Sequence, residues 1–363
     1  MTTFRASARF ELKRLDELPP EQRNPFEELT RDADFYGLLV PQSRPAATIK
    51  AAGREIAELF RALAVPAPLE VNDDVIDLVL DGVLEVECDG RFVCGADALP
   101  ILCDDAPQPA GGLSADALRH ATDLEETDAD TLTRALYFYN RIPITPFWKA
   151  RFPDAAAVIA HLGAANAEAK VSNGWIVFQA RARRAYQPGA ATYKLYVSPR
   201  PENIRDAFDA VVRTLAGRDI DFKIGLDAAG LLRPDKMVAY FGDRAELDDV
   251  AAALRARLAG CPAHGVPFTA AFDDDGLLSW GLDPPESARA LSWLGRESWR
   301  LWLASKLGTA MALAKSESVG APAPGRAPEG GRAHTWRFAV ERVRRLGVDV
   351  DTWTPRDTLW SDA

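Results

Sequence analysis

Several residue types that commonly build functional sites are scarce in this chain. Its 363 residues include only four cysteines and four histidines. The cysteines form no CxxC pair and no histidine lies at ligand spacing from them, which argues against a zinc site. There is no P-loop, GxGxxG, GxSxG, HRD or DFG motif, so common nucleotide-binding, hydrolase and kinase signatures are excluded.

Long apolar runs are also missing. No stretch of about eighteen apolar residues occurs, and the first residues lack the apolar core of a signal peptide. We therefore expect a soluble, cytoplasmic protein that does not contact membranes. Lys and Arg number 43 against 53 Asp and Glu, and the net charge is −10. That acidic balance argues against a general nucleic-acid binder.

What is present is typical of a globular protein. Hydrophobic residues make up 47% and charged residues 26% of the chain, and its length allows two domains. Residues 1–130 predict a smaller region with a partly amphipathic helix at 47–64. Residues 75–95 predict a short helix and two strands joined at Asp89-Gly90, a strong hairpin signal. Helix and hairpin are compatible with a winged-helix-like module that recognises a peptide, or with a purely structural hairpin.

Residues 131–316 predict the main folded domain. Two helices follow pairs of strands: the first starts at a proline, and both end at a glycine. The order strand-strand-helix-strand-strand-helix predicts an α+β fold, with a mixed or antiparallel sheet packed with helices. The predicted elements are strands at 171–184, 191–200, 221–225 and 235–241, a turn at 187–189, helices at 201–217 and 244–260, and a long helix at about 286–315.

The end of the chain changes in composition. Residues 317–335 are rich in proline, glycine and alanine, which predicts a flexible linker. Residues 336–363 predict a short helix and a tail that carries Trp353 and Trp360. Such aromatic residues after a linker indicate docking onto the body of the protein or onto a partner.

Lysine is the residue whose scarcity makes its positions informative. The chain has nine lysines against thirty-four arginines. Of these two residue types, only lysine can lose its proton in a protein and act as a base. Strand alternation puts Lys223 on the face opposite Phe222 and Ile224, and it puts Lys194 on the same face as Tyr196. Solvated strand residues are the alternative interpretation.

A third lysine lies in the strand predicted from residue 235. Alternation puts Lys236 on the face of Val238 and Tyr240, with Asp235 on the opposite face. Asp235 is also a candidate partner that holds an arginine or a lysine in place. His264 lies in a nearby loop and is a candidate general acid, although a loop histidine without a role is the simpler interpretation.

Three arginines supply a possible anion site. Arg200 lies at a strand end, Arg233 in a loop before a strand and Arg300 on the last long helix. Such positions can converge above a sheet, and the guanidinium group suits bidentate phosphate contacts. The alternative is that each is an ordinary surface arginine of an arginine-rich chain.

The order of these motifs resembles the HopA-type domain, first known from type III secreted effectors. The resemblance covers residues 130–315. Each motif is short, and their order and spacing make the set more specific. The motifs are KLYVSP (194–199), FKIG (222–225), RPDKMVAYF (233–241), PFT (267–269), GLLSWGLDPP (276–285) and SWR (298–300).

The resemblance implies a function. Some members of this family are lyase partners of aminoglycoside-phosphotransferase-like kinases, in split (class V) lanthipeptide synthetases and thioamitide pathways. The kinase phosphorylates Ser or Thr of a precursor peptide, and the lyase eliminates phosphate to leave dehydroalanine or dehydrobutyrine. This chain lacks kinase motifs, as expected of the lyase half. No metal or organic cofactor is expected.

The chemistry assigns roles to the candidate residues. Lys223 or Lys236 would remove the α-proton of the peptide residue, and phosphate would be bound by cations. The phosphate and substrate contacts would come from Lys194, Arg200, Arg233, Thr269 and Arg300. The positions of this sequence that match recurrent positions of the HopA-type family are Lys223, Arg233, Asp235, Thr269, Asp283-Pro284 and Arg300.

Two features depart from the family. Lys194 stands where relatives often carry arginine, which suits phosphate binding better than base catalysis. Lys236 has no match, and no His–Lys pair like that of phosphothreonine lyase effectors can be assigned from the sequence. Two other hypotheses are a non-catalytic scaffold that binds a peptide or partner and a thioether cyclase component.

Overall fold

The computed structural model describes residues 2–42, 49–103, 112–164, 169–179, 191–288, 297–318 and 329–360, with the backbone alone for 317–318 and 329–334. The chain forms two compact units that are each discontinuous in sequence. The first unit comprises Met1–Gln108, Glu125–Ala129 and Thr309–Glu341, and the second comprises Pro109–Leu124, Asp130–Gly308 and Arg342–Ala363. The predicted boundaries at 130/131 and 316/317 differ from these because two long helices contribute residues to both units.

The first unit contains two small antiparallel sheets. Its elements are β1 (Thr2–Ala6), β2 (Phe10–Lys13), α1 (Pro20–Arg23), β3 (Phe35–Pro41), β4 (Lys50–Gly53), α2 (Arg54–Ala62), β5 (Ala67–Leu69), α3 (Asp73–Leu80), β6 (Leu84–Cys88), β7 (Arg91–Val93) and α4 (Leu99–Leu102). The strand orders are β5-β1-β6-β7 and β2-β3-β4. Apolar residues of both sheets and of α3 form one core.

The hairpin predicted in this unit is present. Asp89 and Gly90 have φ angles of 51° and 73°, which suit a tight turn between β6 and β7. The preceding helix α3 starts after Asn72, whose side chain accepts a hydrogen bond from the backbone N–H of Val75, a typical N-cap. The helix predicted at 47–64 is shorter than expected, because its first residues pair with β3 as strand β4.

The second unit is built on one larger sheet. Its elements are α5 (Leu113–Asp123), α6 (Ala129–Tyr137), α7 (Pro146–Arg151), α8 (Ala155–Leu162), β8 (Ala169–Ser172), β9 (Trp175–Phe178), β10 (Tyr193–Val197), α9 (Ile204–Leu215), β11 (Phe222–Gly225), α10 (Ala228–Leu231), β12 (Met237–Phe241), α11 (Arg244–Arg257), β13 (Ala270–Ala271), β14 (Leu278–Leu282), and, near the end of the chain, β15 (Val348–Asp349) and β16 (Thr354–Pro355). The two helices divided between the units are α12 (Trp299–Ser318) and α13 (Glu329–Arg345). Within the described residues, the large sheet has the order β13-β14-β10-β12-β11-β9-β8, and its neighbours pair antiparallel. The α+β prediction is confirmed.

The two faces of this sheet differ in chemistry. One face packs against α8, α9 and α11 and forms the main apolar core, which includes Leu195, Phe222 and Ile224. Because side chains alternate along a strand, the residues between them lie on the other face. That face carries Lys194 and Lys223, as the alternation predicted.

Two strand predictions need correction. The strand predicted at 171–184 is a hairpin, because Asn173 and Gly174, with φ angles of 49° and 82°, turn the chain between β8 and β9. The turn predicted at 187–189 lies outside the described residues. The strand predicted from 235 begins at Met237, because residues 233–236 form a turn.

The C-terminal predictions also change. The long helix α12 begins at Trp299 rather than near 286. Helix α13 begins at Glu329, so the predicted linker cannot extend to 335, and residues 319–328 lie outside the description. Burial of apolar residues such as Phe338 and Val343 outweighs the low helix propensity of the glycines that precede them.

The tail after α13 docks onto the second unit. The indole Nε1 of Trp299 donates a hydrogen bond to the Trp353 carbonyl over 3.1 Å. The Trp353 ring packs on Phe268 with ring centroids 5.3 Å apart, and Trp360 contacts Trp299 and Trp302. Of the two docking alternatives, the tail therefore uses the body of the protein. None of the helices described reaches the length and hydropathy needed to span a bilayer.

Candidate functional site

A cluster of charged side chains occupies the polar face of the large sheet. Asp235 is at its centre, in the turn before β12. Its carboxylate accepts two hydrogen bonds from Arg233, from Nε over 2.8 Å and from Nη2 over 2.9 Å. The Nη1 atom of Arg300 lies 2.9 Å from Asp235 Oδ2. The sequence predicted Asp235 on the face opposite Lys236, Val238 and Tyr240. In the structure Asp235 joins the cluster that borders Tyr240, because the turn breaks the strand alternation.

The charge state of Asp235 follows from these contacts. Burial alone would raise the pKa of its carboxyl, but Arg300 and Arg233 outweigh that effect and hold the pKa well below its usual range. Asp235 is therefore an anion that orients two arginines, and it is a poor proton acceptor at neutral pH.

Arg300 is committed to contacts within the protein. Its side chain is 1% exposed, its Nε donates to the Pro267 carbonyl over 3.1 Å and its Nη2 donates to the Tyr137 carbonyl over 2.9 Å. Arg233 is more open, with 21% of its side chain accessible, and its Nη2 also donates to the Tyr137 hydroxyl. Arg233 can contact a ligand directly, whereas Arg300 holds the site together.

Lys194 is held by a second carboxylate. Its Nζ lies 2.5 Å from Asp283 Oδ2, and Asp283 Oδ1 accepts a hydrogen bond from the backbone N–H of Trp299 at the start of α12. Asp283 thereby links Lys194 to the first residue of α12.

In the described part of the chain, Lys223 is the cation of this cluster that is not paired with a carboxylate. Among the residues that the structure describes, its amine has no hydrogen-bond or ion-pair partner and lies 4.0 Å from the centre of the Trp175 ring and 5.5 Å from that of Tyr240. Burial, together with the charge of Lys194, lowers the pKa of Lys223 to about 8, against an opposing effect of Asp235. A substantial fraction of this half-buried amine is therefore neutral near physiological pH.

The cluster has an excess of positive charge. Within the described residues, four cationic side chains (Lys194, Lys223, Arg233 and Arg300) face two carboxylates (Asp235 and Asp283). Such a site favours an anionic ligand, because one positive charge is uncompensated when Lys223 is neutral and two are uncompensated when it is protonated.

The remaining predicted lysine lies elsewhere. Lys236 is fully buried, and its Nζ lies 2.7 Å from His264 Nδ1 and 3.3 Å from Ser198 Oγ. His264 Nε2 is 2.6 Å from the Asn140 carbonyl, so it is the ring nitrogen that carries the proton. Burial, and then the charge of Lys236, lower the pKa of His264 to about 4. A neutral His264 does not suit the general-acid role considered from the sequence.

Two other predicted residues are not joined to Asp235 by any described contact. Arg200 is exposed and lines a cavity of about 300 Å³ together with His264. The Thr269 hydroxyl donates to the Val266 carbonyl over 2.7 Å and lies 2.9 Å from Ser279 Oγ. Neither group reaches the arginine pair in this structure.

Sequence reasoning missed the aromatic part of the site. Tyr137, Trp175 and Tyr240 surround the cations, and the Trp175 ring lies 4.0 Å from Lys223 Nζ and 5.2 Å from the Arg233 guanidinium carbon. The only available signal was that Tyr240 alternates with Lys236 along the predicted strand. In the described ranges, no group of three His, Cys, Asp or Glu residues could hold a metal ion.

Comparison with known proteins adds little. No protein-family model and no curated protein matches the chain. An effector protein from Pseudomonas syringae pv. tomato strain DC3000 is 14% identical with a TM-score of 0.36, over 67% of this chain and 95% of that one. An effector from Pseudomonas syringae pv. syringae strain 61 is 10% identical with a TM-score of 0.38, over 69% of this chain and 99% of that one. At these sequence identities and TM-scores, the structural similarity to the two effectors assigns no activity to this chain.

Proposed function

We propose that the second unit is a lyase that eliminates phosphate from phosphoserine or phosphothreonine in a peptide. The observation that carries the proposal is the Lys223 amine. It has a pKa lowered to about 8, has no carboxylate partner in the described part of the chain, and belongs to the same cation cluster as Lys194 and Arg233. A base and a phosphate site are thereby combined on one sheet face.

The reaction requires a base, a site for the leaving phosphate, and stabilisation of the negative charge that develops on the neighbouring carbonyl. The neutral amine takes the proton from Cα of the phosphorylated residue. The electron pair of that C–H bond becomes the Cα–Cβ double bond, and the Cβ–O bond breaks so that its electrons leave with the phosphate. The leaving phosphate takes up one proton from solvent and the protonated lysine returns one proton to solvent, so the net products are dehydroalanine or dehydrobutyrine and hydrogen phosphate.

The other cations have supporting roles. Arg233 and Lys194 bind the phosphoryl oxygens, because both are accessible in part and both are oriented by a carboxylate. Asp235 and Arg300 are positioning residues that hold Arg233. Placement of these donors before the reaction avoids the cost of reorganising them as charge develops on the leaving group.

Lys223 suits the role of base better than Lys236. Burial lowers the pKa of Lys236 to about 7, but its amine already contacts His264 and Ser198. A substrate Cα–H bond could not approach it without displacing those groups. Lys223 is half-buried and is bordered by aromatic rings rather than by hydrogen-bond partners.

The biological context of the proposal comes from the HopA-type resemblance. The substrate would be a precursor peptide phosphorylated on Ser or Thr by an aminoglycoside-phosphotransferase-like kinase partner, in lanthipeptide-type biosynthesis. The lyase step itself uses no metal or organic cofactor. A scaffold role and a thioether-cyclase role predict different products and are separated by the same assay.

The test is conversion of phosphorylated peptides followed by mass spectrometry. Wild-type protein should remove the mass of phosphoric acid from phosphoserine and phosphothreonine peptides and leave unphosphorylated peptides unchanged. Lys223→Arg keeps the positive charge but cannot supply a neutral amine, so it should bind the peptide and form no product. Wild-type rates in Lys223→Arg would remove Lys223 from the role of base, and peptide binding without any product in the wild type would favour the scaffold.

A further inference from the structure

Tyr196 has a buried hydroxyl without a partner. The residue is 2% exposed, and among the residues that the structure describes its Oη atom has no hydrogen-bond partner. A buried hydroxyl without a partner destabilises the fold, and most buried polar groups in folded proteins have a hydrogen-bond partner. The exception therefore requires an explanation, and a missing ligand is one.

The position of Tyr196 points to that ligand. Tyr196 is two residues from Lys194 on β10, so both side chains leave the same face of the sheet. In the adjacent strands it is opposite Val238 and Ser279. Asp283, Arg300 and Asp235 all influence its ionisation, so the side chain lies near both of the ion-paired groups described above.

The hydroxyl can act only as a neutral donor or acceptor there. Burial, followed by the charge of Asp283, raises the pKa of Tyr196 well above 10.0, so it keeps its proton at any physiological pH. Residues two apart on a strand are separated by about 7 Å. A phosphate that accepts one hydrogen bond of about 2.8 Å from each of two donors can bridge side chains at this spacing, such as those of Lys194 and Tyr196.

We propose that the Tyr196 hydroxyl donates a hydrogen bond to a phosphoryl oxygen of the bound substrate, between Lys194 and the arginine pair. This inference rests on the proposed function and adds a residue to its site that carries no charge. In the absence of phosphate the donor is unsatisfied, and binding of the anion satisfies it. A tetrahedral phosphate has an oxygen left for Tyr196 after it has contacted the cations on both sides, whereas a carboxylate has only two oxygens. Tyr196 thereby favours phosphate over a carboxylate.

The substitution Tyr196→Phe tests this, because it removes the hydroxyl and keeps the ring that fills the core. Tyr193→Phe is the matched control, since Tyr193 lies on the same strand and its ring packs against the core on the opposite face. Binding of inorganic phosphate is measured by titration calorimetry for the wild type and both variants, and thermal unfolding is followed in parallel.

The two variants should differ in their affinity for phosphate. Tyr196→Phe should weaken phosphate binding about tenfold or more, as expected for a lost hydrogen bond to a charged group, while its thermal stability stays equal to or above that of the wild type. Tyr193→Phe should bind phosphate like the wild type. Unchanged phosphate affinity in Tyr196→Phe would overturn the inference, and if its stability also fell, the hydroxyl would be satisfied by a buried water instead.

The outcomes also separate this inference from the proposed lyase. If wild-type protein binds phosphate through Tyr196 but forms no dehydrated peptide, the anion site stands and the elimination reaction does not. If wild-type protein binds no phosphate but forms dehydrated peptide, the inference about Tyr196 falls and the proposed lyase stands.

Discussion

The side-chain amine of Lys236 lies 2.7 Å from Nδ1 of His264, and in the described residues no carboxylate forms an ion pair with it. Burial lowers the pKa of Lys236 from 10.5 to about 7, although Asp235 acts in the opposite direction. The charged form of this lysine therefore destabilises the fold, and its neutral form is accommodated. That difference makes Lys236 the source of a measurable dependence of stability on pH.

The substitution Lys236→Met should remove that dependence. Between the folded pKa of about 7 and the ordinary value of 10.5, the unfolded chain binds more protons than the folded chain. The free energy of unfolding therefore rises with pH in this window, by up to about 1.4 kcal/mol per unit, and is lowest below it. Urea denaturation at pH 7, 8 and 9 measures the effect. The wild type should gain stability relative to Lys236→Met as pH rises, and parallel curves for the two proteins would contradict the prediction.

The proposed reaction should depend on the ionisation of Lys223. Only its neutral amine accepts the α-proton, and its pKa is lowered to about 8. The value of kcat/KM should therefore rise with pH and level off above about 8, because this parameter reports the free enzyme. The second ionisation of a phosphorylated residue, near pH 6, is complete before this rise. Rates measured from pH 6.5 to 9.5 give the profile, and a flat profile between 7 and 9 is incompatible with Lys223 as base.

Loss of the Asp235 carboxylate should destabilise the second unit. Asp235→Asn leaves the buried Arg300 and the largely buried Arg233 without their shared counter-ion, and breaking such a buried pair costs about 3–5 kcal/mol. The free energy of unfolding at pH 7, from urea denaturation, measures this loss. Phosphate binding should also weaken, because Arg233 is no longer oriented.

An exposed ion pair provides the control for that measurement. Asp248 accepts a hydrogen bond from Arg244 one helical turn away on α11, and both side chains are partly exposed. Such pairs contribute about 0–1 kcal/mol, so Asp248→Asn should be nearly neutral. Equal effects of the two substitutions would show that Asp235 does not organise the cluster.

The parts of the site that sequence could predict are those that follow from strand periodicity. Lys194 and Lys223 lie on the polar face because alternation holds throughout a regular strand. Asp235 departs from its predicted face because the chain turns just before β12 begins. Turns depend on what the chain packs against, which local patterns do not encode.

The pairing of Lys236 with His264 illustrates a second limit. His264 follows Lys236 by 28 positions, and it is held by the Asn140 carbonyl, far earlier in the chain. A contact made by three separate segments requires the tertiary fold. Trp175 was missed for a related reason, since the hairpin that places it beside Lys223 was taken for one long strand.

The C-terminal tail should contribute to stability through Trp353. This residue is 7% exposed, packs on Phe268 and accepts a hydrogen bond from Trp299. Trp353→Ala should therefore lower the free energy of unfolding by about 3 kcal/mol or more, the cost of removing a large buried aromatic ring. Phe147→Ala is the control, because Phe147 is 61% exposed and little surface is buried with it. Urea denaturation followed by circular dichroism compares the two variants with the wild type. If Trp353→Ala were as stable as Phe147→Ala, the tail would be an appendage, and its contacts with Phe268 and Trp299 would not support the fold.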